Sequence, residues 1–528
     1  MGQVGRRGFL RGVGAAAVGA PLLGAGTANA GIDLDVDLDL DLDLDLGLPR
    51  LPSPHRWLVG DHHIHTQYSN DAMYTVDQVV AGARRHGADW LVFSDHGHVA
   101  HEANSVEPAH ADIVAARRRH PGLLLWQGLE WNMPAAEHAT VFLPPSRDEA
   151  ALLREFERTF DSRLTNTGAS TPANEAKALE ALRWLEKRGG LVVVNHPSRN
   201  GRIAPAELRN WHDAAPNVVI GMEGAPGAQC DGHPKPGGSG GHRGGYGNSP
   251  GADSWPGFPP ETYRTFGGFD WVTATLGGLW DSLLAEGRSW WITSNSDSHF
   301  NFRDTIIRQP EPGDLYDRVG KHLDPLPGGP AQTQPPYCDF YPGEFSRTVV
   351  GATERSYRGV MDGLRAGRTF VTHGGLAQQL EVHAFANDRL SWPVGLGGRL
   401  RVRRGTDITV VVLARLAARP HTGGEVPKLA RLDLIRGTIT GRSTNRQSVH
   451  APETTVARSY EPRFRPGQVV AFKHTFRDVR DSFYVRVRGT DGNRHTPGGL
   501  EPIQDIPGAA NPWQDLWCYT NPLFVEVR

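Results

Sequence analysis

The sequence predicts an α/β domain followed by an antiparallel β-domain, and three features of the 528-residue chain carry this prediction. Strand and helix signals alternate over residues 56–376, which is typical of a parallel sheet. Clusters of histidine and carboxylate residues follow several of the predicted strands. From about Leu380 onward, short β-rich runs replace the alternation, which favours a β-sandwich.

Residues 1–30 have the pattern of an export signal. Arg6-Arg7-Gly8-Phe9-Leu10-Arg11 resembles a twin-arginine motif, a weakly apolar stretch runs from Val13 to Gly26, and Ala28-Asn29-Ala30 predicts cleavage after Ala30. The apolar stretch is short and rich in glycine, so we expect no stable membrane anchor. We expect the twin-arginine export machinery as a partner, and a periplasmic or extracellular location.

Residues 31–55 are predicted to be an acidic linker. Leucine or valine alternates with aspartate from Asp33 to Asp45, and like charges at that density repel and disfavour packing. We interpret the segment as an extended, solvated tether. A calcium-organised segment is the alternative, although the glycines that let calcium-binding repeats turn are missing.

The alternating part of the chain supplies the elements of the predicted parallel sheet. In chain order, its predicted strands are 56–60, 89–93, 123–127 and 191–194, and its predicted helices are 75–86, 106–120 and 173–188. A helix at 353–365 and a strand at 368–372 are predicted to close this domain.

A segment dense in glycine, proline and serine, residues 225–260, interrupts the alternation. It contains His233, Lys235, His242 and Arg243. Segments of this length without secondary structure are typically functional or disordered. We predict a loop that covers the substrate, and a disordered insertion is the alternative.

Residues 377–528 are predicted to form a small antiparallel β-sandwich. Its predicted strands are 399–403, 408–413, 432–435, 469–472, 483–487 and 523–527. We interpret this domain as a structural cap on the first one, and binding to carbohydrate or to a surface is the alternative.

The overall composition excludes some classes of protein. The formal net charge is −2, so no basic excess indicates a nucleic-acid partner, and we expect none. The three cysteines, Cys230, Cys338 and Cys518, lie far apart and form no C-x-x-C pair, which argues against a disulfide scaffold or a cysteine-based zinc site. One disulfide with one free thiol stays open.

Five clusters of metal-ligating residue types are strung in order along the first three-fifths of the chain. Imidazoles and carboxylates are the ligands that divalent cations use in hydrolytic sites. The clusters are Asp61-His62-His63-Ile64-His65 with Asp71, Ser94-Asp95-His96, Glu130 with His138, Asn195-His196-Pro197, and Ser296-Asp297-Ser298-His299. This order predicts a multinuclear metallohydrolase.

The order and local sequence of these clusters resemble the PHP superfamily, named for polymerase and histidinol phosphatase, over roughly residues 57–376. The matching motifs are His63-x-His65, Ser94-Asp95-His96, Gly128-Leu129-Glu130, His196-Pro197 and Asp297-x-His299. The resemblance implies a distorted (β/α)7 barrel with the ligands converging at one mouth. With the C-terminal β-domain, the chain also resembles exported carbaryl-hydrolase-like members.

The resemblance further implies two or three divalent ions, whose identity as Zn, Mn or Fe the ligand types leave open. The implied first group is His63, His65, Glu130 and Asp297, the second is Glu130, His138 and His196, and the third is Asp71, His96 and His299. An aspartate at position 71, where some members have histidine, leaves the filling of the third group open. His62, His98 and His101 are interpreted as surface residues or as residues that support the ligands.

Catalytic roles follow from the same resemblance. Two cations about 3.5–4 Å apart would turn a bridging water into a hydroxide that attacks the substrate. Asp95 is expected to orient His96, and Arg199, Arg202 and Arg303 are candidates to clamp a phosphate, with ordinary surface positions as the alternative.

A small-molecule or phosphoester substrate, cleaved by a metal-dependent phosphoesterase, is therefore the leading hypothesis. Hydrolysis of a non-phosphate ester, carbamate or amide is the second hypothesis, and metal-dependent binding without turnover is the third.

Overall fold

The computed structural model of the protein describes residues 56–227, 251, 253–259, 267–331, 339–387, 391–463, 465–493 and 512–528. The predicted export signal and acidic linker lie outside these residues. So do Cys230 and Cys338, and most of the glycine-rich segment, including His233, Lys235, His242 and Arg243.

The described residues form strands and helices in the alternating order that the sequence predicts. The strands are β1 (Arg56–Asp61), β2 (Trp90–Phe93), β3 (Leu124–Asn132), β4 (His138–Phe142), β5 (Leu191–Val194), β6 (Val219–Ala225), β7 (Trp291–Ser294), β8 (Ser346–Ala352), β9 (Thr369–His373), β10 (Ala377–Ala386), β11 (Arg399–Val402), β12 (Thr406–Leu416), β13 (Arg431–Thr438), β14 (Thr454–Tyr460), β15 (Val469–Val479), β16 (Phe483–Thr490), β17 (Trp517–Thr520) and β18 (Leu523–Val527). The α-helices are α1 (Val76–Arg85), α2 (Val106–Arg119), α3 (Glu149–Phe160), α4 (Ser162–Thr165), α5 (Pro172–Glu186), α6 (Pro205–Ala214), α7 (Trp271–Ala274), α8 (Leu279–Ala285), α9 (Leu315–Val319) and α10 (Tyr357–Arg365). A π-helical turn at His101–Ser105 precedes α2.

Local sequence signals explain where the helices begin. Thr75 and Gln78 form a reciprocal capping box at the start of α1. Thr171 caps α5, which has Pro172 in its first turn, where proline's missing N–H leaves no donor unsatisfied.

The first seven strands form the distorted barrel that the sequence predicts. β1, β2 and β3 run parallel, and so do β5, β6 and β7. The ring closes beyond the end of β1, where Ile64 and Ser298 form a parallel bridge. The strand ends that carry the five clusters therefore meet at one mouth.

The reversed strand β4 is a departure from the predicted alternation. It pairs antiparallel with both β3 and β5, so it breaks the parallel order in the middle of the barrel. A five-residue connection joins it to β3, which is too short for a helical crossover between parallel strands. Helices α3, α4, α6, α7, α8 and α9, and strands β4, β6, β7 and β8, were also not predicted from the sequence.

The barrel sheet continues into the C-terminal domain. β8 pairs with the outer edge of β1, β9 pairs with β8, and β17 of the C-terminal domain pairs with β9. A separate antiparallel sheet of β10, β12 and β15 packs on this extension around a second apolar core. The predicted sandwich is confirmed, although β11 and β18 pair parallel and the sandwich is not wholly antiparallel.

A buried ion pair links the two parts of the molecule. Asp281 of α8 accepts two hydrogen bonds of 2.8 Å from the guanidinium of Arg486 in β16, and both side chains are buried. Tyr484 Oη donates to the same carboxylate at 2.9 Å. Within the described residues, none of the helices has the length and apolar character needed to cross a membrane.

Candidate metal centre

The ligand clusters meet where the barrel closes. The amide of Asp297 donates to the carbonyl of His63 at 3.0 Å, and the amide of His65 donates to the carbonyl of Ser298 at 3.1 Å. These bonds lay the segment after β7 beside the segment after β1. Asp297 and His196 both adopt positive φ, 48° and 28°, a backbone conformation that is unfavourable for non-glycine residues and concentrates at functional sites.

The first group of ligand atoms is tightly clustered and buried. His63 Nε2 lies 3.1 Å from His65 Nε2, and both nitrogens lie 3.1–3.2 Å from Asp297 Oδ1. Glu130 adds Oε1 at 3.2 Å from His63 Nε2 and Oε2 at 3.3 Å from His65 Nε2. These are the four residues expected for the first ion.

Glu130 also reaches the second group. Its Oε1 lies 3.0 Å from His138 Nδ1 and 3.1 Å from His196 Nε2. Asn195 Nδ2 donates to the same oxygen at 3.0 Å. The structure therefore brings together the three residues expected for the second ion, with the Glu130 carboxylate between the first and second groups.

The third group is more open. Asp71 Oδ2 lies 3.1 Å from His96 Nε2, and Asp71 Oδ1 lies 3.6 Å from His299 Nε2. His65 stacks on His299 with ring centroids 4.0 Å apart, so the first and third groups adjoin. His96 Nδ1 lies 2.8 Å from Glu130 Oε2, which connects the third group to Glu130 as well.

The spacings in the first group also suit a bound metal ion. Ligand atoms bound at about 2.1 Å to one tetrahedral or octahedral ion lie roughly 3.0–3.4 Å apart, as the first group does. The Nδ1 atoms of His63, His65 and His299 are engaged by Glu223 Oε1, Ser69 Oγ and the carbonyl of Asp297, so the Nε2 lone pairs are left to face the ligand sets. His196 Nδ1 is buried with no hydrogen-bond partner among the described residues.

Glu223 is a supporting carboxylate that the sequence analysis did not identify. It is fully buried at the end of β6, its Oε1 accepts from His63 Nδ1 at 2.7 Å, and its Oε2 accepts from the amide of His196 at 2.7 Å. One carboxylate thus fixes a ligand of the first group and a ligand of the second. Its position near the end of a strand, at the edge of the sheet that carries the other ligand candidates, could have identified it from the sequence.

Two other aspartates support the ligand segments. Asp61 accepts from the amide of His63 at 3.0 Å and from the amide of Ser296 at 2.8 Å. Asp339 accepts from the amide of His299 at 2.5 Å and was also missed, because it lies 40 residues after His299 in the chain.

Asp95 does not take its expected role. Both of its carboxylate oxygens accept hydrogen bonds from Thr66, including the amide at 2.6 Å, so Asp95 holds the chain after His65 and does not orient His96. The orientation of His96 comes from Asp71 and Glu130 instead.

The three candidate phosphate-binding arginines lie in different surroundings. The amide of Arg199 donates to the carbonyl of His196 at 2.9 Å, so the residue follows directly on a ligand of the second group. Its buried Nε has no hydrogen-bond partner in the described residues. Arg202 pairs with Glu137 at 2.9 Å. Arg303 is exposed, lies over the Phe302 ring and acts on Glu344, so the structure does not bring it to the ligand atoms.

The three additional histidines all have structural partners. His62 is buried between Thr140 and Thr293, and its pKa is lowered to about 3 by burial and by His63. His101 contacts Glu157 at 2.8 Å, and His98 lies beside the Tyr316 ring. Their expected supporting or surface roles agree with these positions.

The electrostatics of the ligand groups couple protons to metal binding. Burial would raise the pKa of Glu130, but the imidazoles of His63, His138 and His96 outweigh it and hold that pKa well below its ordinary value. Burial opposes protonation of His63 and His299, yet the surrounding carboxylates raise the pKa of His63 well above its ordinary value and that of His299 to about 9. A bound cation would therefore compete with protons for the ring nitrogens of these imidazoles.

Comparison with protein families gives a match over part of the chain. A family model described as the PHP domain matches residues 61–182, which include the ligand candidates from His63 to His138. No curated protein matches the chain. The comparisons do not confirm the carbaryl-hydrolase-like resemblance.

Two solved structures are among the matches. A two-domain protein containing a predicted PHP-like metal-dependent phosphoesterase, from Bacteroides vulgatus, is 14% identical with a TM-score of 0.36, and the match covers 86% of this chain and 97% of that one. A lesion-specific endonuclease from Pyrococcus furiosus is 12% identical with a TM-score of 0.28, and the match covers 58% of this chain and 56% of that one.

Proposed function

We propose that the protein, whose residues 61–182 match the family model of the PHP domain, is an exported metal-dependent phosphoesterase. The domain match and the grouped ligand atoms support a metal-dependent hydrolase. The phosphoester substrate and the export are the further steps of the proposal. The twin-arginine pattern in the sequence is the support for export.

The position of Glu130 is the observation that carries the proposal. Its two oxygens lie within 3.3 Å of nitrogens from five histidines of the three groups, and the carboxylate is buried at the mouth of the barrel. A carboxylate in this position could serve as a ligand to more than one cation. Divalent cations bound there would supply an activated water and polarise the substrate oxygen.

The chain's own residues then bind and orient the substrate. Arg199 has an unpartnered buried Nε beside the second group, and a guanidinium at that position can donate to a phosphate oxygen. Arg202 is paired with Glu137, so we assign it to holding the wall of the site and not to the substrate. Glu223 and Asp61 keep the histidine ligands in place.

The test is hydrolysis by the purified mature protein. Metal is removed with a chelator, Mn²⁺ or Zn²⁺ is added back, and activity is measured on a phosphomonoester, a phosphodiester and an aryl carbamate. We expect phosphoester hydrolysis that disappears with the metal and with Asp297→Ala. Asp478→Ala is the matched control, because this aspartate also has positive φ (46°) but lies exposed in β15.

Each alternative has its own outcome. Carbamate hydrolysis without phosphoester hydrolysis would replace the phosphoesterase assignment with the second hypothesis. Metal binding without turnover of any substrate would favour a binding protein. Full activity of the Asp297→Ala variant would contradict the metal centre itself.

A further inference from the structure

Asp71 differs from the other ligand candidates in its position. It lies in the loop between β1 and α1, and 45% of its side chain is exposed, whereas the side chains of His96 and His299 are 12% and 19% exposed. The loop, residues 66–74, does not belong to the barrel sheet. Whatever fixes this loop therefore decides whether the third group has its carboxylate.

One segment binds this loop through four of its backbone carbonyls. We call residues 305–326 the brace. His322 donates twice, from its amide to the carbonyl of Gln67 (2.9 Å) and from its ring to the carbonyl of Asn70 (2.9 Å). The Tyr316 hydroxyl donates to the carbonyl of Tyr68 (2.8 Å), and the Arg308 guanidinium donates to the carbonyl of Ala72 (2.6 Å). Four carbonyls of one loop that are all held by a single segment indicate a fixed loop.

The brace is itself a closed unit. Ile307 and Leu326 form an antiparallel bridge through two hydrogen bonds of 2.8 and 2.9 Å, and α9 lies between them. The two ends of the brace are thus held together by this bridge.

His322 is the central residue of the brace. Its Nε2 lies 2.9 Å from the carbonyl oxygen of Asn70, the residue before Asp71, and its Nδ1 lies 2.5 Å from Glu311 Oε1. The ring stacks on Tyr316 with centroids 5.1 Å apart, and the residue is only 6% exposed. Every polar atom and one face of this ring are used, which fixes the peptide that carries Asp71.

We propose that the brace sets the metal affinity of the third group, and that His322 is the positioning residue that acts through Asp71. The proposal rests on the proposed function only in that the ligand groups hold divalent ions. A ligand that is already ordered before the ion arrives loses less conformational entropy on binding. Removing a residue that orients a metal ligand typically weakens metal affinity about 10- to 100-fold.

The experiment is equilibrium binding of Mn²⁺ to the mature chain, with bound and free ion counted at each concentration. We expect His322→Ala to weaken the weakest class of sites at least about tenfold and to leave the tighter classes within about twofold. Tyr316→Phe, which removes one of the four hydrogen bonds and keeps the stacked ring, should shift the same class less. His322→Gln, which retains an N–H donor, should recover part of the affinity.

Two further variants serve as the positive and the negative control. Asp71→Ala removes the ligand and should abolish the weakest class. Arg318→Ala is the matched control, because this exposed side chain of α9 pairs with Asp314 on the brace and makes no contact with the loop, so it should bind Mn²⁺ as the wild type does. Thermal unfolding of each variant checks that the fold survives.

The outcomes separate this inference from the proposed function. Wild-type binding curves for His322→Ala, or an equal loss in every class of sites, would overturn the brace as the positioning element. Fewer than three Mn²⁺ sites in the wild type would also overturn it, while phosphoester hydrolysis by that protein would leave the proposed function standing. Three sites with the expected shift but no hydrolysis would support the brace and contradict the proposed function.

Discussion

The supporting role of Glu223 gives a sharp prediction for the variant Glu223→Gln. The buried carboxylate accepts one hydrogen bond from the ring of His63 and one from the amide of His196, each 2.7 Å long. A glutamine side chain has a single acceptor oxygen. In either orientation its NH2 group therefore faces an N–H donor, and one of the two ligand residues loses its support.

The expected loss of metal affinity follows from the energy of one hydrogen bond to a charged group. A hydrogen bond to a charged group contributes about 1.5–3 kcal/mol, and about 1.4 kcal/mol corresponds to a tenfold change in a binding constant. We therefore expect metal affinity at the first and second groups to fall roughly 10- to 100-fold, the range typical for loss of a residue that orients a metal ligand. Competition for Zn²⁺ against a fluorescent chelator measures this change.

Glu157→Gln is a closely matched control. Glu157 is also fully buried and also accepts from one histidine ring, His101 at 2.8 Å, and from one backbone amide, His98 at 3.0 Å, but it contacts no ligand candidate. It should lose a similar amount of stability and keep its metal affinity. Unchanged affinity for Glu223→Gln, or an equal loss for Glu157→Gln, would refute the reasoning.

Further predictions concern pH, substrate binding, stability and export. Against the opposing effect of burial, the surrounding carboxylates raise the pKa of His299 to about 9, and a bound ion must displace the proton of this ring. Metal affinity should therefore rise with pH up to about pH 9, by about tenfold per pH unit for each displaced proton. Metal titrations at pH 6, 7 and 8 measure this slope. A flat profile would contradict the protonated site. Arg199→Ala should raise KM for a phosphomonoester about tenfold with unchanged metal content, and Arg199→Lys should raise KM less. If the variants have the same KM and kcat as the wild type, Arg199 does not bind the substrate. Asp281→Ala should lower the free energy of unfolding by about 3–5 kcal/mol in urea titrations, because it leaves a buried guanidinium of β16 without its partner, and a loss below about 1 kcal/mol would contradict the importance of this link. Arg6→Lys together with Arg7→Lys should leave the precursor in the cytoplasm, and mature protein outside the cell would indicate another export route.

The sequence was sufficient for those parts of the fold that depend on local patterns. Apolar runs such as Leu191–Val194 identify strands on their own, and a histidine or carboxylate directly after such a run identifies a ligand candidate at the mouth. The direction of β4 has no such signal, because five residues of β-forming sequence read the same in a parallel and an antiparallel pair. Its reversal depends on the short connection from β3.

The supporting residues could not be predicted for a different reason. Glu223 and Asp339 act on His63 and His299, which lie 160 and 40 residues away in the chain, so their roles exist only once the barrel has closed. Asp95 shows the converse. Its neighbour in sequence is His96, but the closed fold turns its carboxylate toward Thr66. Sequence proximity to a ligand is therefore a poor guide to which residue orients it.

Anomalous diffraction from crystals loaded with Mn²⁺ tests the central claim most directly, because it locates ions without reference to activity. The account predicts one anomalous peak within bonding distance of His63 Nε2, His65 Nε2 and Asp297 Oδ1, and a second beside Glu130, His138 and His196. Ordered side chains at these positions with no anomalous peak among them, or peaks only elsewhere in the molecule, would contradict the metal centre.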